Sequence, residues 1–370
     1  MPYGDGIAGN KPCLLQLNFD CMQSGTDKSE HSLIHIANAI ICKIYQGAAS
    51  LAQFIQLVEQ RTQSIADELL TGLTAVQATT SPKYLYDALG SKLFEAICEL
   101  PEYYPTRTES GIFAKHAQQI AESIGTGTTL IDLGAGNCAK AAKLFPYLQP
   151  AQYVPIDISV EFLRDAVDRL QQQFPDIDMV GVGMDFSLAL QLPESVRSEK
   201  RLCFYPGSSI GNFTPDEALV FLQQIKAACM QSDAADGGLL IGVDLVKESG
   251  ILDAAYDDAL GVTASFNLNL LLHLNRLLDA DFDLREWLHR GFFNDKLSRI
   301  EMHLEAASDQ TVRWPNGVRR FERGERIHTE NSYKYTRQSF ISLLTEAGFE
   351  NVTTWTDTQQ WFMVCHAHAA

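Results

Sequence analysis

The rhythm of apolar positions changes three times along the chain. Residues 1 to about 30 mix Gly, Pro, Asn and Asp with isolated apolar residues and read as an arm or loop. From Ser32 to about Leu73 apolar residues recur at helical spacing (Leu33, Ile34, Ala37, Ile40, Ile41, Ile44, then Leu51, Phe54, Ile55, Val58), which predicts two or three amphipathic helices. A further helix is predicted around Ser91 to Leu100, stopped at Pro101 and flanked by the aromatic pairs Tyr84/Tyr86 and Tyr103/Tyr104. From Thr128 short β-like runs alternate with helices. Strands are expected at Thr128 to Leu133, Tyr153 to Asp157, Met179 to Val182, Leu202 to Tyr205 and Leu239 to Val246, with helices at Ala139 to Leu148, Val160 to Phe174 and Pro215 to Met230. This alternation predicts an α/β fold with a parallel, doubly wound sheet, whose ligands sit at the carboxyl ends of the strands.

The alternation breaks between Lys247 and about Ser332, where a long helical pattern (Ala264 to Leu278) precedes mixed β-like segments around Ser298 to Ala306. A final helix, Gln338 to Ala347, and the run Val352 to Val364 restore it. Three parts follow: a mainly helical N-terminal extension (1–75), a Rossmann-like domain (76–246 and 333–370) and an inserted α+β lobe (247–332).

Composition acts by exclusion. A length of 370 residues suits about two domains, and 46% hydrophobic against 20% charged residues supplies a full core, which excludes wholesale disorder. Lys plus Arg total 29 against 46 Asp plus Glu, a net charge of −17 that opposes the basic footprint of a nucleic-acid binder. The longest apolar runs, Leu33 to Ile41 and Leu239 to Val246, stop short of the ~20 residues that span a membrane, and the N-terminus does not read as a secretory signal. Eight scattered cysteines with no CxxC pair suit reduced thiols in the cytoplasm. His31 and His35 have no nearby third ligand, so no metal is expected. The basic residues between 311 and 337 read as a solvated hairpin. A small molecule is the expected partner and a monomer the expected state.

The candidate chemistry starts at Ile131-Asp132-Leu133-Gly134-Ala135-Gly136, a strand running into a glycine turn. Glycines there permit a tight backbone path and close approach of a ligand. Asp157 follows Gly134 by 23 positions, at the end of the next strand, where a carboxylate can hold both hydroxyls of an adenosine ribose. Two cofactors fit. With Ala139 the turn formally satisfies the dinucleotide fingerprint, a weak match when it stands alone; the alternative is S-adenosylmethionine. Three features favour the methyl donor: the long helical preamble before the strand, Asp132 at its end as a contact for the donor's cationic portion, and Asp185-Phe186 after the third strand as an acidic-aromatic pair for adenosine. Cys138, where methyltransferases often carry glycine, reads as a small filler.

Several further segments, in order and at fixed spacing, resemble the histidine-specific Nα-methyltransferase family of ergothioneine biosynthesis. They are Tyr86-Asp87 through Gly90-Ser91, Leu93-Phe94-Glu95, Leu100-Pro101-Glu102-Tyr103-Tyr104-Pro105-Thr106-Arg107, Gly207 through Asn212-Phe213, Ala255-Tyr256-Asp257-Asp258, Phe266-Asn-Leu-Asn269 and Thr329-Glu330-Asn-Ser332-Tyr-Lys334. The likeness covers about residues 80 to 370 and implies a Rossmann-like class I methyltransferase domain with an inserted substrate domain. It also implies roles. Asn212 and Tyr256 would hold the amino-acid carboxylate and ammonium, Tyr86 would reach the amine, Tyr103 would close over donor and substrate, and Glu330 with Ser332 would read an imidazole. Tyr86 and Asn212 would orient the reacting nitrogen. Donor binding would fall to Tyr103, Asp132, Gly134, Gly136, Lys140, Asp157, Asp185 and Phe186. The implied reaction is successive Nα-methylation of L-histidine to its trimethylbetaine; methylation of another aromatic amino acid, such as a tryptophan derivative, and a dinucleotide-dependent oxidoreductase remain the alternatives.

Overall fold

Runs rich in β-branched and aromatic residues become strands, and the segments with helical spacing cover them. The computed structural model describes residues 52–57, 62–187, 189–230 and 237–369; the helices expected between Ser32 and Ile44, and the pair His31/His35, lie outside these. In chain order the strands are β1 (Gln53–Gln56), β2 (Ala78–Thr79), β3 (Thr129–Leu133), β4 (Gln152–Asp157), β5 (Asp178–Gly183), β6 (Arg201–Tyr205), β7 (Gly237–Asp244), β8 (Trp287–Asn294), β9 (Arg299–Ala306), β10 (Gln310–Trp314), β11 (Gly317–Phe321), β12 (Arg326–Tyr333), β13 (Glu350–Thr356) and β14 (Phe362–Ala369). The α-helices are α1 (Thr62–Thr74), α2 (Ala88–Cys98), α3 (Tyr104–Ile124), α4 (Ala139–Ala142), α5 (Phe145–Leu148), α6 (Val160–Gln173), α7 (Pro215–Cys229), α8 (Ser249–Tyr256), α9 (Val262–Leu278) and α10 (Arg337–Glu346).

The central sheet has the order β1-β5-β4-β3-β6-β7-β14-β13. Its pairs from β1 to β7 are parallel, whereas β14 runs antiparallel to both β7 and β13. Every residue of β3, β6 and β7 is buried, as strands sandwiched between helical layers must be. The run Val352 to Val364 is thus two strands rather than one continuation. Asp357 makes the reversal, accepting the N–H groups of Gln359, Trp361 and Phe362 at 2.8–2.9 Å.

Three segments differ from the sequence pattern. Phe54 and Ile55, expected in a helix, lie in edge strand β1. The Phe54 ring packs on Gly181 of β5, where a Cβ would approach it to 2.7 Å, so a long-range fit overrides local spacing. The helix expected over Ala139 to Leu148 is split into α4 and α5, with Pro146 in the first turn of the second. Helix α3 follows a segment to which the sequence pattern assigns no helix; Pro105 lies in its first turn, and Ile112, Phe113, Ala117, Ile120 and Ala121 form its buried face.

The second sheet has the order β2-β12-β9-β8, beside the hairpin β10–β11. Its core draws on more than residues 247–332. Leu69, Leu73, Tyr84, Leu85 and Ile97 pack with Phe266, Leu270 and Leu274 of α9 and with Trp287 and Ile300, so α1, which the sequence places in the N-terminal extension, and α2, which it places with the first sheet, both build this lobe. The parallel pairing of Ala78 with Ile327 explains why no local pattern shows it. The two sheets are joined where function needs them: Tyr335 N bonds Asp244 O at 3.1 Å and Val246 N bonds Tyr335 O at 3.0 Å, fixing the end of β12 to the carboxyl end of β7. Among the described residues no helix is long and apolar enough to cross a membrane.

Candidate active site

The glycine turn forms where β3 and β4 end side by side. Gly134 and Gly136 take φ of +70° and +53°, a region that side chains enter only with strain. Gly134 N and Ala135 N bond Ile156 O at 2.9 and 3.0 Å. Asp157 accepts Gly136 N on one oxygen and Ser159 N on the other, both at 2.9 Å; a carboxylate has about four acceptor positions, so capacity for two hydroxyls remains. Phe186 lies over the turn, its ring 3.7 Å from where a Cβ on Gly134 would stand. Asp185 beside it is held by Ser187 N at 3.1 Å and Lys83 Nζ at 3.2 Å. Lys140 of α4 donates to Glu109 Oε2 at 2.7 Å, while Glu109 Oε1 takes the N–H of Gly207 at 2.7 Å. One buried carboxylate, which no sequence pattern singled out, ties the turn to its neighbouring loop.

Asp132 lies deeper than its position at the end of β3 suggests. Its carboxyl is buried and accepts from Tyr153 Oη at 2.7 Å, and burial pushes it up to about 7 against the pull of that hydrogen bond. Its side-chain partner is the Tyr153 hydroxyl on the adjacent strand. Cys138 adopts φ +62° at the start of α4 and is buried; burial pushes its thiol up to about 12, which keeps it protonated and unreactive.

Beside the turn opens a cavity lined by aromatic and polar side chains, the make-up of a small-molecule site. It brings together all six residues expected to meet the amino acid, from five separate segments. Tyr86 follows the 3-10 helix Pro82–Leu85, Tyr103 caps α3, Asn212 ends the 3-10 helix Ser209–Asn212, Tyr256 ends α8, and Glu330 with Ser332 lies on β12. Gly211 lets that second 3-10 helix touch β12, since a Cβ there would stand 2.8 Å from Tyr333 O. Phe94 and Phe266 complete an aromatic wall: Tyr86 meets both edge-on at 5.4 Å, and Tyr103 meets Tyr256 at 5.9 Å between ring centroids.

A β-bulge aims the polar end of this cavity. Along β12, His328 pairs with His303, but the next pair is Glu330 with Met302, leaving Thr329 as the extra residue. Thr329 is anchored to Asn267 Oδ1 at 2.7 Å and Met302 O at 3.1 Å. Because side chains alternate between faces, one extra residue reverses the phase. Glu330 and Ser332 therefore share the inner face with Met302, and without the bulge they would point outward. Burial pushes the Glu330 carboxyl up to about 7, with Lys334 working in the opposite direction.

Behind the cavity lies a charged cluster that the sequence did not reveal. Lys334 is fully buried and bridges Asp244 Oδ2 at 2.9 Å, Ser332 Oγ at 2.8 Å and Tyr256 Oη at 3.1 Å. Asp244 also takes Lys247 Nζ and Tyr104 Oη, both at 2.6 Å. Burial opposes the Asp244 charge, but Lys334 and Lys247 hold its carboxyl below the usual range; burial brings Lys247 down to about 8. On the outer face, Glu301, His303 and His328 place ligand atoms within 4.8 Å of one another. Glu301 is already engaged by Arg299, Asn294 and His303.

The glycine turn, Asp157 and Phe186 stand at the carboxyl ends of neighbouring parallel strands beside the aromatic cavity, where such sheets bind their ligands. This is the frame of an S-adenosylmethionine-dependent methyltransferase, and family membership decides against the dinucleotide reading of the turn. The chain belongs to the family described as histidine-specific, SAM-dependent methyltransferases, whose family model matches residues 65–369. It is 38% identical over 315 residues to a histidine N-alpha-methyltransferase of Mycolicibacterium smegmatis, covering 83% of this chain and 95% of that protein. It is 31% identical to ergothioneine biosynthesis protein 1 of Neurospora crassa, over 74% of this chain and 31% of that longer protein. A 4-dimethylallyltryptophan N-methyltransferase of Epichloe festucae var. lolii is 27% identical, over 80% of this chain and 92% of that one.

Proposed function

We propose that the enzyme methylates the α-amine of free L-histidine three times in succession, giving histidine trimethylbetaine, the product expected for ergothioneine biosynthesis. The observation that carries this reading is the pairing of Glu330 and Ser332 on the inner face of β12, at the polar end of an aromatic cavity. A carboxylate and a hydroxyl two residues apart match a ring with one N–H and one lone pair. An indole has a donor but no ring acceptor, so it would satisfy only half of that pair, and a site with buried polar groups left unpaired rejects such a ligand strongly. The likeness to the tryptophan-derivative enzyme therefore does not extend to substrate in this reading.

Gly134, Gly136, Asp157, Asp185 and Phe186 would hold the donor, with Lys140 and Tyr103 at the boundary to the cavity. Bound S-adenosylmethionine supplies an electrophilic methyl group on sulfonium. The chain's own task is to present a neutral amine in line with it, about 3 Å away. A peptide α-amine titrates near ~8 and the carboxylate of a free amino acid raises that, so the site must favour the neutral amine; Asn212 grips the carboxylate, the remaining lone pair of the Tyr256 hydroxyl accepts from the nitrogen, and Tyr86 and Asn212 orient its lone pair. Tyr86, Tyr103 and Tyr256 present aromatic surface suited to the growing quaternary ammonium. Such an enzyme acts on a free cytoplasmic amino acid, and a monomer suffices.

The test is a screen of free amino acids with the purified protein and excess donor, read by mass spectrometry. Histidine should gain three methyl groups. An absence of methyl gain on histidine, or faster turnover of another amino acid, would overturn the assignment.

A further inference from the structure

The hydrogen-bond polarity of the cavity's imidazole end is set from behind it. A lysine ammonium has three protons and no lone pair, and those of Lys334 go to Asp244, Ser332 and Tyr256. Tyr256 Oη in turn donates to Ser332 Oγ at 3.0 Å. Ser332 Oγ thus accepts twice, which fills both of its lone pairs, and within this cluster its own proton has no acceptor. It is left to point into the cavity. Glu330, two residues earlier on the same face, offers only lone pairs when ionised.

We propose that Lys334, acting as a positioning residue, makes Ser332 an obligate hydrogen-bond donor, so that the enzyme selects the neutral imidazole of its substrate and discriminates against the imidazolium. The inference deepens the proposed histidine activity and rests on it. A neutral imidazole turns its N–H to Glu330 and its lone pair to Ser332. An imidazolium has two N–H groups and no lone pair, so its second N–H meets the Ser332 proton head-on. Turning the serine to accept would strand a buried donor of Lys334 or Tyr256, which costs more than the bond gained. A protonated Glu330 loses its charge but keeps a carbonyl oxygen that can accept the ring N–H.

The titratable groups facing this end are Glu330 on β12, Asp244 and Lys247 at the end of β7, Tyr104 of α3, Tyr256 of α8, and Tyr86 and Tyr103 across the cavity. Lys334 stays charged throughout: burial opposes its charge, but Asp244 and the Tyr256 hydroxyl hold it above its ordinary range. These groups are common to any substrate of the site, so a ratio between two substrates cancels them.

The experiment compares kcat/KM for L-histidine with that for 3-(1,2,4-triazol-3-yl)alanine across pH. The triazole has the same ring size, and its third nitrogen keeps it neutral well below the pH at which imidazole protonates; the α-amines titrate alike. With the wild-type enzyme the histidine-to-triazole ratio should fall about tenfold from pH 7.5 to pH 5.5, following an imidazole of pKa ~6.5. In Ser332→Ala and Lys334→Met, which remove the donor or its clamp, the fall should shrink to less than about twofold. A flat wild-type ratio, or a tenfold fall retained in both variants, overturns the inference. The wild-type arm stands even if neither variant folds. Failure of the wild type to methylate histidine at any pH would overturn the activity itself, an outcome distinct from active turnover with a flat ratio.

Discussion

The donor side and the amino-acid side of this enzyme are built by opposite means. The glycine turn, Asp157 and the Asp185-Phe186 pair sit at the ends of three neighbouring parallel strands, and much of the turn's geometry is backbone hydrogen bonding. The cavity beside it is assembled from five segments between Tyr86 and Ser332, and its polarity is carried by side chains. One half recognises a cofactor shared by many enzymes and can be rigid and local. The other must distinguish one amino acid from the rest, and it buries a carboxylate and a lysine to do so.

The two halves are fastened together at Asp244. Asp244→Asn leaves Lys334 buried without a counter-charge, and breaking such a pair costs about 3–5 kcal/mol. Urea denaturation should show a loss of that order; a change under about 1 kcal/mol would mean the halves are joined by packing alone. Glu330 comes next. Its folded pKa of about 7 lies above the ordinary value of 4.5, so the folded chain binds more protons between those pH values. The stability this carboxyl contributes is complete below pH ~4.5 and lost as pH rises through ~7, after which the ionised group costs about 3 kcal/mol. Glu330→Gln should therefore stabilise the free protein by about 3 kcal/mol at pH 8, with the gain fading toward pH 4.5, while kcat/KM for histidine falls about 100-fold. Donor affinity measured by calorimetry should hold within about twofold. Asp157→Ala should do the reverse, weakening the donor about 30-fold and leaving histidine binding unchanged.

Legibility follows the same division. The turn and strands β3 to β7 can be read from short apolar runs ending in glycine or aspartate, because a buried parallel strand declares itself locally. The six cavity residues are suggested only by a family resemblance. Nothing in Thr329-Glu330-Asn331-Ser332 marks Thr329 as the bulge that turns Glu330 inward, since the phase of β12 is set by its pairing with β9. Lys334, Asp244 and Lys247 lie far apart or in unrelated local patterns, and only the junction of β12 with β7 makes them one cluster. Asp132 shows the converse hazard. Its position at a strand end suggests an open carboxylate, yet it is buried against Tyr153 of the adjacent strand.

The smallest expected effects come from one glycine in each half, and they differ in kind. Gly134 holds φ +70°, yet a Cβ there would meet nothing closer than the Phe186 ring at 3.7 Å, so Gly134→Ala is penalised by backbone strain of about 1–2 kcal/mol. Gly211 has no such dihedral; its Cβ would strike Tyr333 O at 2.8 Å and Tyr333 N at 3.1 Å. Gly211→Ala must therefore push the Asn212 helix off β12. The first change should weaken donor binding about tenfold with little effect on histidine, and the second should raise KM for histidine about tenfold while donor affinity stays within about twofold, each tenfold step being about 1.4 kcal/mol. Calorimetric titration of the donor and steady-state kinetics on both variants decide the matter. If either alanine shifts both constants equally, the turn and the cavity respond as one unit, and the division between a local, backbone-built half and an assembled, side-chain-built half does not hold energetically.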